Sequence, residues 1–205
     1  MSTAHSTRGY LLLLAVVFAA RVHAADVAAL AKPCEDCHGQ NGVSQADDVP
    51  TIAGISAPVH GDFMLAFKDK SRPCRVSKYR HGDTARPETD MCAVAAKLSD
   101  ADIEALAAYF AAKPFVPAKQ AFDAAKAAAG KTLHTRDCAK CHTEGGRVAD
   151  DDASILAGQH LKYLQQALAD FRSGKRDPGK KMGEKLKPLS DADVEALAHY
   201  FASEQ

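Results

Sequence analysis

The strongest constraint on the fold is an internal repeat. Leu98 to Ala111 reads LSDADIEALAAYFA and Leu189 to Ala202 reads LSDADVEALAHYFA, identical at 12 of 14 positions and offset by 189 − 98 = 91 residues. One structural unit is therefore used twice, and a reading of one half must also hold for the other. Both copies open on a serine, Ser99 or Ser190, with Asp102 or Asp193 three residues later, which is the pattern of a capped helix start. Apolar residues then recur at i, i+3, i+4 and i+7: Ile103, Leu106, Ala107 and Phe110, and again Val194, Leu197, Ala198 and Phe201. Each copy predicts an amphipathic helix with one face for a core.

A second repeated element lies upstream of each helix. Cys34-Glu35-Asp36-Cys37-His38 and Cys138-Ala139-Lys140-Cys141-His142 are offset by 138 − 34 = 104 residues. In an exported chain, Cys-x-x-Cys-His is the attachment site of a c-type haem. The thiols add across the haem vinyl groups, and the following histidine becomes the proximal iron ligand. A zinc ribbon would want four ligands from paired motifs, and a redox dithiol needs no histidine. Two copies predict two covalently bound haem c groups, held by Cys34, Cys37, Cys138 and Cys141, with His38 and His142 beneath the irons. The offset of 104 persists through Ala53-Gly54 against Ala157-Gly158 and Phe67 against Phe171, then drops to 91, so the first half carries 104 − 91 = 13 extra residues between Phe67 and Met91.

The chain begins as an exported protein does. Arg8 is a positive start, Tyr10 to Ala20 an apolar run, and Val22-His23-Ala24 a small-residue cleavage signal. The apolar run is shorter than the roughly 20 residues a bilayer requires, so no membrane span is expected after processing, and the mature chain is expected in the periplasm. The predicted organisation is a signal peptide over 1–24, a first cytochrome c domain over 25–112, a proline-bounded linker over 113–118 and a second cytochrome c domain over 119–205. The fold class is all-α, two tandem cytochrome c-like haem domains. Further helices are expected over Asp26 to Ala31, a shorter one interrupted by Pro33, and over Pro58 to Asp69, Ala121 to Thr135, and His160 or Leu161 to Ser173. No basic stripe suggests nucleic acid. One positive patch, Lys175, Arg176, Lys180, Lys181, Lys185 and Lys187, reads equally as a solvated face or a docking surface.

Each iron needs a sixth ligand or an open position. Met91 and Met182 each stand seven residues before Leu98 or Leu189, in the same register, on what reads as a loop ahead of the last helix. They are the expected axial partners of His38 and His142, and a thioether there suits electron transfer. Met64 aligns with the helical Leu168 and reads as core. His60, His81, His134, His160 and His199 occupy no matching positions and read as surface or helix histidines. Pro50 stands where a carbonyl can accept the proximal histidine N–H, whereas its counterpart is Ser154. Cys74 and Cys92 lie outside both motifs. A disulfide is the first expectation in an oxidising compartment, and a cysteine ligand to the first iron is the alternative.

The second half carries a more specific resemblance. Pro117 to Asp123, Lys131-Thr132-Leu133-His134, CAKCHTEGG over Cys138 to Gly146, Ile155 to Gln159 and Lys180-Lys181-Met182 resemble the dihaem cytochrome subunit of flavocytochrome c sulfide dehydrogenase. The first half is similar in outline but departs in the segment holding Cys74. The resemblance implies thioether links at the four motif cysteines, the pairs His38 with Met91 and His142 with Met182, and an FAD-containing sulfide dehydrogenase subunit as heterodimeric partner, with a downstream electron acceptor. Substrate chemistry would belong to that partner, since this chain has no dinucleotide fingerprint. The competing expectations are a free-standing dihaem shuttle to a terminal oxidase, and a dihaem peroxidase or thiosulfate-oxidising enzyme with an open or cysteine-ligated iron.

Overall fold

The computed structural model describes residues 24–151 and 153–205. The apolar run of the expected signal peptide lies outside the described residues. In chain order the helices are α1 (Ala24–His38), α2 (Ala57–Lys68), α3 (Met91–Ala95), α4 (Asp100–Ala111), α5 (Ala124–Leu133), α6 (Leu161–Arg172), α7 (Gly179–Leu186) and α8 (Asp191–Ser203). A 3₁₀ turn follows α1 at Gln40–Gly42, and a π-helical turn, His134–Cys138, continues α5 into the second motif. Among the described residues the extended pairing is a single antiparallel bridge between Ser77 and Thr89. No described helix is long and apolar enough to cross a membrane.

The caps form as the repeat predicts. Ser99 and Ser190 each accept the N–H of the aspartate three residues on, and that aspartate accepts the serine N–H in return. Asp123 caps α5 by accepting from Ala125 and Lys126. The first helix departs from expectation: α1 continues through Pro33 to the end of the motif. Proline forfeits one backbone bond and crowds the preceding turn. Tertiary packing outweighs that cost here, because Ala31 is fully buried against Leu106 and Phe110 of α4.

Each half is built on the crossing of its motif helix with its last helix. In the second half, a Cβ on Gly130 of α5 would lie 2.1 Å from the Ala196 carbonyl oxygen, so glycine is what lets α5 and α8 meet backbone to backbone. The loop after each motif is pinned alike: Gly42 O accepts from Ile52 N at 2.8 Å, and Gly146 O from Leu156 N at 2.7 Å. Gly54 and Gly158, both at φ +73°, then donate to Phe110 O and Phe201 O at 2.9 and 2.8 Å, closing each loop onto its last helix.

The halves are joined by more than the linker. Gln159 accepts the Thr51 N–H at 3.1 Å and donates to the Thr51 carbonyl at 2.7 Å. His160 Nε2 donates to Ser44 O at 3.0 Å, and Tyr163 N to Asp47 O at 3.1 Å. Helix α6 of the second half thus starts on the post-motif loop of the first.

Candidate functional site

A cavity of about 250 Å³ opens in the first half, and Cys34, Cys37, His38 and Met91 all line it. Helix α1 supplies the thiols and the imidazole. The start of α3 supplies Met91, where Asp90 caps the helix by accepting from Ala93 N. Apolar side chains complete the walls, among them Ile52, Phe63, Met64, Phe67, Leu106 and Phe110. His38 Nδ1 donates to Pro50 O at 2.8 Å, which leaves Nε2 as the free coordinating nitrogen. Burial lowers the His38 pKa and keeps the ring neutral, as a metal ligand must be. Burial also pushes the Cys34 thiol up to about 11. Two thiols, a neutral imidazole and a thioether around one apolar space match the donor set of a covalent haem.

The far wall of this cavity comes from the second half. Gln159, Tyr163, Asp170 and Arg176 line it together with Arg72 and Arg75. Arg72 and Arg176 are counterparts in the repeat, at the 104-residue offset, and their guanidinium carbons lie 4.4 and 4.9 Å from the centre of the same Phe63 ring. Burial first, and the neighbouring Arg72 charge second, lower the Arg176 pKa to about 10. Arg75 is ion-paired to Asp170 across the domain boundary. Two like charges on one ring favour an anion between them, and the haem carboxylates have that chemistry.

The second site is assembled differently. Met182, on α7, and Cys138 both pack against the cluster of Leu164, Leu168, Leu186, Leu189 and Leu197. His142 N bonds back to Cys138 O at 3.0 Å. Its Nδ1 is buried with no partner among the described residues, consistent with Ser154 in place of a proline. The His142 carbonyl accepts from His134 Nε2 at 2.8 Å, and His134 itself packs on Tyr200 and Phe201. Burial, then the proximity of His134, lower the His142 pKa. Met91 and Met182 both lie in short helices rather than on the loops expected, because each is held by a local start: the Asp90 cap for α3, and Asp177 accepting from Gly179 N for α7.

Cys74 and Cys92 form a disulfide, with Cα atoms 5.5 Å apart. This engages both sulfurs and displaces the cysteine-ligand alternative. The bond closes residues 74–92 into a strap, whose ends are zipped by Ser77 and Thr89 at 2.7 and 3.1 Å. The strap lies against the first haem motif. Arg80 N and His81 N donate to Asp36 O at 2.7 and 2.9 Å, and Arg86 Nη2 to Asp36 Oδ2 at 2.6 Å. Burial works to raise the Asp36 carboxyl, but hydrogen bonds from Lys32 and Arg86 outweigh it and hold the group below its ordinary value.

The spare histidines are expected on the surface or in helices, and His60 and His199 do lie in α2 and α8. His60, His134, His160 and His199 are all buried, whereas His81 is exposed. His199 accepts the Asp123 N–H through Nδ1 and reaches Glu195 through Nε2, and so ties α8 to the α5 cap. His60 lines the first cavity, stacked 5.7 Å from Phe110, with neither ring nitrogen hydrogen-bonded among the described residues. Sequence reasoning missed Gln159, Arg72 and Arg176. The shared register of the two arginines was the available signal, while nothing in the sequence points to the Thr51–Gln159 pair.

A family model described as Cytochrome c matches residues 24–112 and 127–204. A thiosulfate dehydrogenase electron acceptor from Stutzerimonas stutzeri strain A1501 is 33% identical over 186 residues, 84% of this chain and 79% of that protein. Cytochrome c4 of Azotobacter vinelandii is 30% identical over 205 residues, 92% of this chain and 94% of the relative. The crystal structure of reduced recombinant cytochrome c4 from Pseudomonas stutzeri superposes with a TM-score of 0.70 at 28% identity, covering 88% of this chain and 97% of that one.

Proposed function

The chain belongs to the cytochrome c family as a dihaem electron-transfer protein with two covalent haem c groups, and from that premise we propose that it accepts electrons from an exported oxidoreductase of reduced sulfur compounds. The observation that carries this reading is the gathering of Cys34, Cys37, His38 and Met91 around one apolar cavity. A His/Met iron is six-coordinate and has no position for substrate, so its work is to take up and release single electrons. In this proposal Cys34, Cys37, Cys138 and Cys141 carry the thioether links, and His38 with Met91 and His142 with Met182 are the axial pairs. The haem supplies the redox change. The protein's residues hold it, keep both imidazoles neutral, orient His38 through Pro50 and exclude water with apolar walls.

Two donors fit the reading. The resemblance of the second half favours an FAD-containing sulfide dehydrogenase subunit. The similarity to a thiosulfate dehydrogenase electron acceptor favours a thiosulfate-oxidising donor. Sulfur oxidation releases electrons in pairs, and two one-electron carriers in one chain can take a pair and discharge it stepwise. The periplasm is the proposed compartment, because both the disulfide and haem attachment suit an oxidising space. A free-standing shuttle is the second reading, favoured by the similarity to cytochrome c4.

The test is stopped-flow reduction of the isolated dihaem chain by sulfide or thiosulfate, with and without each candidate donor from the same source. We expect no turnover by the chain alone and an acceleration by orders of magnitude with one donor. Equal rates with and without both donors would leave the shuttle. Full turnover by the chain alone would make it an enzyme.

A further inference from the structure

The two haem motifs are repeats, yet their surroundings are unequal. In the first, Asp36 and His38 are buried, and the strap from Cys74 to Cys92 lies across the motif. The Lys78 carbonyl comes within 3.7 Å of Cys37 Sγ, and the Arg80 and His81 amides close on Asp36. The strap therefore covers the cysteine side of the first motif, where it would screen a haem held by Cys34 and Cys37. The other side of the same cavity is closed by Tyr163, Asp170 and Arg176 of the second half. The second motif has no counterpart to the strap, because those extra residues occur only in the first half. Lys140 and Cys141 within it are exposed.

Charge follows the same division. Every arginine and lysine of the strap is matched by a carboxylate: Arg75 by Asp170, Lys78 by Glu88, Arg80 by Asp48 and Arg86 by Asp36. Helix α7 and its flanks are different. Lys175, Lys180, Lys181 and Lys187 are exposed and pair with no carboxylate among the described residues, and Lys140 is likewise free. Asp177 and Glu184 are the acids interspersed among them. The same helix carries Met182 and is tied to the second motif by Lys185, 3.7 Å from Asp137. The unneutralised positive charge therefore sits beside the open motif.

We propose that electrons enter and leave this chain at the second haem, through a face formed by α7 and Lys140 that docks an acidic protein surface, while the strap and the second domain seal off the first haem. This rests on the electron-transfer reading above. In each encounter the donor would lose one electron to the ferric haem that Cys138, Cys141 and His142 would hold, reducing it to ferrous, and the first haem would exchange electrons only through it. Free lysines around an entry point steer an acidic partner and raise the encounter rate, with a strong dependence on salt. Charges already paired within the strap add little steering.

The experiment uses the full dihaem protein and reduced flavodoxin, a small acidic flavoprotein, as probe. Binding is read by amide chemical shifts of the labelled holoprotein as redox-matched flavodoxin is added. Shifts are expected at Lys140 and residues 179–187 and not at residues 75–88. Rates are read by stopped flow for K180E/K181E, and for K70E/K97E, which makes the same charge change on exposed lysines of the first half. The first pair should lower the second-order rate about tenfold at low ionic strength, with the difference vanishing at high salt, and the second pair should leave it within about twofold. Shifts on the strap, or equal losses in both variants, would overturn the proposal while leaving the electron-transfer reading intact. Absence of reduction by flavodoxin and by dithionite alike would overturn both.

Discussion

Gln159 and Thr51 exchange two hydrogen bonds across the domain boundary, 3.1 Å from Thr51 N to Gln159 Oε1 and 2.7 Å from Gln159 Nε2 to Thr51 O, and each residue is 1% exposed. One side chain thus satisfies both polar groups of a buried peptide segment in the other half. Gln159→Leu preserves bulk but strands a buried N–H and a buried carbonyl. A loss of about 2–4 kcal/mol is expected. Denaturant unfolding of the holoprotein, followed at haem and far-ultraviolet wavelengths, should change from coincident to separated transitions as the halves uncouple.

The strap should depend on its disulfide. Closing a loop with a sequence separation of 18 contributes about 3 kcal/mol in the chain-entropy model. The double variant Cys74→Ser/Cys92→Ser should lose stability of that order and expose residues 75–88 to proteolysis. The oxidised wild-type holoprotein should show no titratable thiol in denaturant, with four cysteines in the proposed thioethers and two in the disulfide.

Acid should release the strap. The folded Asp36 carboxyl is held below its unfolded value, so its contribution is present above the ordinary aspartate range and is lost as pH falls through the folded value. Amide exchange at residues 77–86 should rise below about pH 4. Asp36→Asn, which keeps an acceptor oxygen but neither titrates nor forms an ion pair with Arg86, should raise that exchange at neutral pH and flatten its acid dependence.

His60 adds a second acid limb. Burial first, and the nearby His38 second, lower its pKa from 6.5 to about 4. A base depressed in the folded state contributes stability that is fully present above 6.5 and falls away as pH drops from 6.5 towards 4, about 3 kcal/mol in all. His60→Leu installs the residue found at its repeat counterpart, Leu164, and should remove most of that slope in melting temperature against pH.

The methionine register is tested by spectroscopy. Ferric holoprotein should show the near-infrared sulfur-to-iron band, and Met182→His should remove about half of it while Met91→His removes the remainder in the double variant. An unchanged band in either single variant would break the ligand assignment.

The repeat made the last helices, their caps and the haem motifs legible, since those features rest on local spacing. Local propensity puts an interruption at Pro33 and gives no sign that His60, His134, His160 and His199 are buried, because both outcomes are set by tertiary packing. Ala31 against Phe110, and His134 against Tyr200, are contacts between segments far apart in sequence. The 13 extra residues could be counted from the offsets. That they fold back onto Asp36 depends on backbone bonds to that residue, which no pattern encodes.

The wall shared by the two halves bears on how such a chain can change over generations. Tyr163, Asp170 and Arg176 belong to the second repeat yet enclose the first cavity. A hybrid that joined residues 25–112 to the later half of a relative would set its own haem pocket against a foreign lining. The two copies therefore work as one piece, and exchanging one half alone would break the wall of the first pocket.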